Sequence, residues 1–205
     1  MSDDLSSSAR LQGYLERLRA GDRAARDELF RHVAGRLERL TRKMLQGFPG
    51  VHRWEQTGDV LQGALVRLLT ALEDVRPASP REFFGLTAEQ VRRELIDLAR
   101  HHFGPQGAGA HHASAAGRAD SLAPAHERPD LTYEPSALAG WCEFHEQVRE
   151  LPEQEREVVD LLFYQELPQA QAAGLLGVTV RTVQRRWQSA LLRLNGLLKG
   201  QWPGA

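Results

Sequence analysis

The sequence predicts an all-α protein of two small helical domains, an N-terminal helical bundle and a C-terminal helix-turn-helix, joined by a flexible linker. Three observations predict it. Apolar residues recur at three- and four-residue spacing through both halves, with no convincing alternating strand. Between the halves, residues 104–135 are dominated by Gly, Ala, Pro, Ser and His, show no apolar period, and offer only Leu122, Leu131 and Tyr133 for burial. Near the C-terminus, residues 167–198 read as two helices flanking Gly177-Val178-Thr179, the short glycine-containing turn of a helix-turn-helix. The expected division is a disordered tail at 1–9, a first domain at 10–103, a linker at 104–137 and a second domain at 138–200.

In chain order, Leu11, Leu15 and Leu18 predict a short first helix ended by Ala20-Gly21. Asp22 can cap a longer second helix that carries Ala25, Leu29, Val33, Leu37, Leu40 and Met44 at helical spacing, until Gly47, Pro49 and Gly50 break it. A third helix starts near Thr57 or Asp59, carries Leu61, Leu65, Leu68 and Leu72, and is closed off by Pro77 and Pro80. A fourth runs from about Pro80 through Phe83, Phe84, Leu86, Val91, Leu95 and Leu98 to Arg100. Four amphipathic helices with short connections make a compact bundle. In the last helix Val180, Val183, Trp187, Leu191, Leu194 and Leu198 form the stripe expected to be buried, leaving Arg181, Gln184, Arg185 and Gln188 to face elsewhere.

That last helix points to DNA. Recognition helices set their first turns over base edges, where Arg reads guanine bidentately and Gln reads adenine. The alternative meaning of such residues is a solvated helix face. Charge distribution favours the DNA reading: the formal net charge is only -1, yet residues 167–205 hold five Lys or Arg and no Asp or Glu, whereas 136–166 hold two basic and eight acidic residues. A basic helix beside an acidic surface suits duplex on one side and protein on the other. The single Cys142 excludes an intramolecular disulfide framework and fits a reducing compartment. No apolar run approaches a membrane span, and MSDDLSSSAR lacks the form of a signal peptide, so a cytoplasmic protein without membrane insertion is expected.

The segments GDRAARDELFRHVAGRLERL, GDVLQGALVRLLTAL and FFGLTAEQVRRELIDLARHH, followed by LPEQEREVVDLLFYQELPQAQAAGLLGVTVRTVQRRW, resemble the extracytoplasmic-function (ECF) type of bacterial sigma factor. The likeness covers both domains in order. It implies that 10–103 is the second sigma region, which binds core RNA polymerase and the minus-10 promoter element, and that 138–200 is the fourth, whose helix-turn-helix holds the minus-35 element. The implied partners are core RNA polymerase and promoter DNA, with an anti-sigma protein open as a third.

Carried over by position, the resemblance puts the polymerase-binding residues at Asp59 and Gln62, with Arg67 on the same helix. Gly63 stands where the family usually has an acidic residue, which is expected to weaken both helix and contact. The promoter-melting segment falls on 83–102. There Arg92, Arg93, Arg100, His101 and His102 supply positive charge, and Phe83 and Phe84 are candidates to stack an unpaired base. Two adjacent aromatics at the start of an amphipathic helix also suit a core. The minus-35 contacts fall on Thr179, Arg181, Thr182, Gln184, Arg185 and Arg186. Leu151-Pro152 matches the Leu-Pro that opens a family helix, with Glu153 and Glu155 near its positive end.

The promoter elements lie about 70 Å apart along the duplex. A relaxed linker of this length spans only about 30 Å but extends to near 110 Å. The free protein is therefore expected to keep its domains closer than the holoenzyme does, and the acidic 136–166 segment is a candidate to mask the basic last helix. His101, His102, His111, His112 and His126 cluster around the linker without a Cys or carboxylate at ligand spacing, so no metal or cofactor is expected. Cys142, beside Trp141, reads as a small buried hydrophobe. No phosphate-cradling loop, nucleophile elbow or HExxH motif is present, which argues against an enzyme. The other reading kept open is a stand-alone helix-turn-helix regulator that binds duplex without polymerase.

Overall fold

The computed structural model describes residues 2–52, 54–103 and 135–203. Nine α-helices are described: α1 Ser2–Arg19, α2 Ala24–Gln46, α3 Pro49–His52, α4 Thr57–Val75, α5 Pro80–Phe103, α6 Pro135–Glu150, α7 Glu153–Val159, α8 Gln169–Leu176 and α9 Val180–Leu197. A π-helical segment, Asp160–Tyr164, continues α7. The expected linker lies outside the described residues apart from the start of α6.

Most helices begin and end where the sequence supplies a reason. Asp22 accepts a hydrogen bond from the Ala24 N–H at 2.9 Å and so caps α2. The α4 start is closed by the Gln56 N–H donating to Asp59 Oδ2 at 3.0 Å. Gly177 ends α8 in the left-handed region at φ 63°, with the Val178 N–H donating to the Ala173 carbonyl and that of Gly177 to Gly174. This is the Schellman arrangement, and it sets the sharp turn into α9. Thr179 Oγ1 then accepts from the Thr182 N–H at 3.2 Å, capping α9. Thr179→Ala is expected to cost about 1 kcal/mol and to lower the melting temperature by about 2–4 °C, which calorimetry would register.

Two expectations are corrected. The helix at the N-terminus starts at Ser2, inside the segment expected to be a disordered tail, because the sequence has no glycine or proline between residue 2 and Leu11 to stop it. The buried stripe of α9 is Val183, Ala190, Leu194 and Leu198, with Trp187 partly buried, while Val180 is exposed. Val180 begins the helix directly after the turn, where the chain is still clear of α8.

The two halves share their cores. One apolar cluster joins Leu40, Met44, Phe48, Val91 and Leu95 of the first half to Phe144, Val148, Tyr164 and Leu194 of the second. Another joins Leu29, Val33, Leu37, Phe83 and Phe84 to Val158, Leu161, Leu176 and Val183. Gly47 allows the closest approach: a Cβ there would lie 2.9 Å from Trp141 Cδ2, so the indole rests against the backbone at the end of α2.

Candidate nucleic-acid and polymerase interface

The geometry between the halves centres on Arg92. It is only 1 % exposed, a rare state for arginine. Its Nη1 donates to Asp160 Oδ1 at 2.8 Å, its Nη2 to Glu89 Oε2 at 3.2 Å, and its guanidinium lies 4.9 Å from the centre of the Tyr164 ring. Burial opposes the charge, but the attraction of Asp160 outweighs this and holds the guanidinium above the ordinary arginine value. Asp160 and Tyr164, at the two ends of the π-helical segment, both meet this guanidinium.

Other pairs surround this one. Lys43 Nζ reaches Glu166 at 2.6 Å, Arg100 reaches Glu146 at 2.8 Å, Arg149 reaches Glu89 at 3.2 Å, and Arg81 is bonded to Glu157. Glu166 itself sits in the left-handed region at φ 53°, a strained state for a non-glycine residue. Of the acidic segment 136–166, Glu146, Glu157, Asp160 and Glu166 thus pair with basic residues of the first half, whereas Glu155 turns to the second. That carboxylate, nearly buried, accepts from Ser189 Oγ at 2.8 Å and Arg193 Nε at 3.0 Å, tying α7 to α9.

His145 is enclosed in the same interface, stacked between Phe48 and Tyr164 and sharing a 2.7 Å hydrogen bond with the Tyr164 hydroxyl. Burial, helped by the Arg92 charge, pushes its pKa down to about 3 from the ordinary 6.5. The folded protein therefore refuses a proton that the unfolded chain accepts below pH 6.5. Stability from the neutral ring is complete above that pH and is lost as pH falls from about 6.5 towards 3, with a slope of up to ~1.4 kcal/mol per pH unit. Comparing urea midpoints at pH 7 and pH 5 should show a larger loss for the wild type than for His145→Phe.

The predicted site residues fall into distinct settings. Phe83 and Phe84 are both buried, packed edge to face, with Arg36 over the Phe84 ring. With Arg92 they are closed off from any ligand in this arrangement. Arg93, Arg100 and His101 are exposed, although Arg93 is paired to Glu89 and Arg100 to Glu146. His102 is partly buried, bonded to Glu55 at 3.0 Å and stacked on Trp54. Basic charge near the C-terminal end of α5 is real, but much of it is already balanced.

On α9, Arg181, Gln184 and Arg185 stand exposed, and among the described residues neither arginine makes an ion pair. Gln184 Nε2 donates to Gln169 Oε1 at 3.0 Å, bracing α9 on α8. The hydroxyls of Thr179 and Thr182 are 3.0 Å apart and serve the cap. Arg186 is partly buried, with its Nε shielded from solvent and unbonded. Arg181 and Arg185 are therefore the exposed arginines of α9 that are not committed to an ion pair among the described residues.

On α4, Asp59 and Gln62 are exposed on one flank, with Val66 between them and the helix end at 60 % exposure. Val66, which the sequence did not single out, is an exposed apolar residue in line with these two polar candidates. Arg67 is fixed rather than free: Nε donates to Glu94 Oε2 at 2.6 Å and Nη2 to Asp97 Oδ2 at 2.8 Å. The hydrogen bond that it donates to Glu94 is the main cause that holds its charge above the ordinary arginine value. Cys142 is half-buried, and burial pushes its thiol up to about 11, as suits a packing residue.

No helix among the described residues is long and apolar enough to cross a membrane. Among the solved structures that the chain is similar to are two complexes. The structure of CnrH in complex with the cytosolic domain of CnrY is 21 % identical and covers 94 % of this chain and 99 % of its own, with a TM-score of 0.39. The sigma factor RpoE in complex with the anti-sigma factor NepR from Bartonella quintana is 17 % identical and covers 84 % and 97 %, with a TM-score of 0.34. No curated protein matches the chain. A family model described as ECF sigma factor matches residues 9–197, spanning the bundle, the linker and the helix-turn-helix together, and by that match the chain belongs to the ECF sigma factor family.

Proposed function

We propose that this protein binds core RNA polymerase and directs it to promoters by holding a minus-35 element with α9 and a minus-10 element with the first half. What carries the reading is the exposed Arg181 and Arg185, which make no ion pair among the described residues, on a helix-turn-helix in a chain whose family match runs from residue 9 to 197. Asp59, Gln62 and Val66 form the face that docks on polymerase. The protein performs no bond-making of its own. Polymerase transfers nucleotides, and this subunit contributes differential binding to promoter DNA in the cytoplasm.

The closed arrangement is its resting state. Phe83, Phe84 and Arg92 cannot meet DNA while α6, α7 and the π-helical segment lie against α5, and two sites about 70 Å apart cannot be held by halves in contact. The interface has a polar centre. It encloses Arg92, Asp160, His145, Gln165 and Thr87, and leaves Arg92 Nε, His145 Nε2 and Gln165 Oε1 without a partner. This imperfectly satisfied polar centre, set among the apolar clusters that the halves share, is the weakest part of the interface.

Sedimentation of the purified protein with core polymerase, with and without a duplex promoter, tests the reading. Co-sedimentation with core, and promoter binding that depends on core, are expected. Tight sequence-specific duplex binding by the free protein would instead favour the stand-alone regulator.

A further inference from the structure

α4 has a glycine in the middle of its exposed flank, where glycine weakens a helix. Its backbone does not require one, since Gly63 is not among the left-handed residues. Space does. A Cβ on Gly63 would lie 2.2 Å from Glu94 Oε1 and 2.5 Å from the Glu94 carboxyl carbon. Glu94 reaches across from α5 and lays its carboxylate on the α4 backbone, one oxygen over Gly63 and the other accepting from Arg67 Nε at 2.6 Å.

This carboxylate sits beside the flank that displays Asp59, Gln62 and Val66. Asp97, about half exposed, completes the grip on Arg67, so the arginine's charge is balanced locally and the uncompensated charge on the flank is negative. A mere tie between two helices would not need α4 to give up a side chain at its own surface. Alanine at position 63 with a shorter partner on α5 would pack as well and favour the helix.

We infer that Glu94 is a positioning residue of the polymerase-docking face: admitted by Gly63, it holds Arg67 and gives α4 a carboxylate that residue 63 cannot supply. The inference rests on the docking role proposed above for this flank, and it fits a partner surface that is basic and partly apolar.

The test moves the carboxylate between helices. Glu94→Leu is expected to release Arg67 and weaken binding to core polymerase by about tenfold. Gly63→Glu alone crowds two carboxylates into one place and is expected to lower the melting temperature and loosen core binding. Glu94→Leu combined with Gly63→Glu puts the carboxylate four residues before Arg67 on the same helix face, a spacing at which such pairs form, and is expected to restore both. Core affinity is measured by fluorescence anisotropy well below each melting temperature, so that folding losses do not enter. Glu94→Leu binding core as tightly as the wild type overturns the inference alone, as does a double variant that stays as weak as the single ones. Wild-type protein that does not bind core overturns the docking reading and the inference with it.

Discussion

Asp160→Asn is expected to part the two halves of the free protein. It leaves Arg92, now without its main counter-ion, in a site where it is 1 % exposed. Removing one partner of a buried pair costs about 3–5 kcal/mol, because the remaining charge is uncompensated. The expected outcome is that the interface opens and Arg92 returns to water, with the apolar residues that the halves share exposed as well. At ~1.4 kcal/mol per decade the closed population falls by about a hundredfold or more. The radius of gyration from small-angle scattering should rise while the circular-dichroism helix signal holds, and affinity for a forked minus-10 DNA should increase as Arg92, Phe83 and Phe84 are uncovered. Glu146→Gln is the control. It breaks an exposed pair with Arg100, worth no more than about 1 kcal/mol, and should leave the scattering unchanged. An Asp160→Asn protein that stays helical, keeps the wild-type radius and binds forked DNA no better would show that Arg92 is a permanent structural residue.

The second large effect is expected at the other end. Arg181→Ala and Arg185→Ala each remove an exposed guanidinium that makes no ion pair among the described residues. A bidentate arginine contact to a base contributes about 1–3 kcal/mol of discrimination, so the double variant should lose about a hundredfold in promoter binding by the holoenzyme. Core binding should be untouched, since α4 is unchanged. Arg193→Ala makes the contrast: that side chain is committed to Glu155, and its loss should register as reduced stability of the second half. Equal effects of all three substitutions on promoter binding would mean that α9 attracts DNA by general charge and reads no bases.

Both predictions depend on features that differ in how far the sequence reveals them. The helices were legible because the apolar period of α2, α4 and α5 is strong and is punctuated by Asp22, Gly47, Pro77 and Pro80. The turn of the helix-turn-helix was legible from Gly177 and Thr179, whose left-handed backbone and cap follow from residue type alone. The stripe of α9 has the expected phase and only its first member, Val180, is exposed, because periodicity does not say where the covering helix begins. The fate of Arg92 was not legible at all. Its partner Asp160 lies 68 positions away, and the π-helical turn that delivers Asp160 and Tyr164 leaves no mark in an amphipathic pattern. The acidic character of 136–166 was plain, but its target was not: those carboxylates meet Lys43, Arg81, Arg92 and Arg100 of the first half, with Glu155 alone engaging α9. Gly63 read as a weakness in α4, and only the neighbouring helix shows that the missing side chain makes room for Glu94.

The most direct measurement of the central claim is run-off transcription by purified core polymerase on a genomic promoter library, with and without this protein. The account predicts a new set of start sites that appears only with the protein, is lost with Arg181→Ala combined with Arg185→Ala, and persists with Asp160→Asn. An unchanged set of start sites, from a protein shown to be folded, would contradict it.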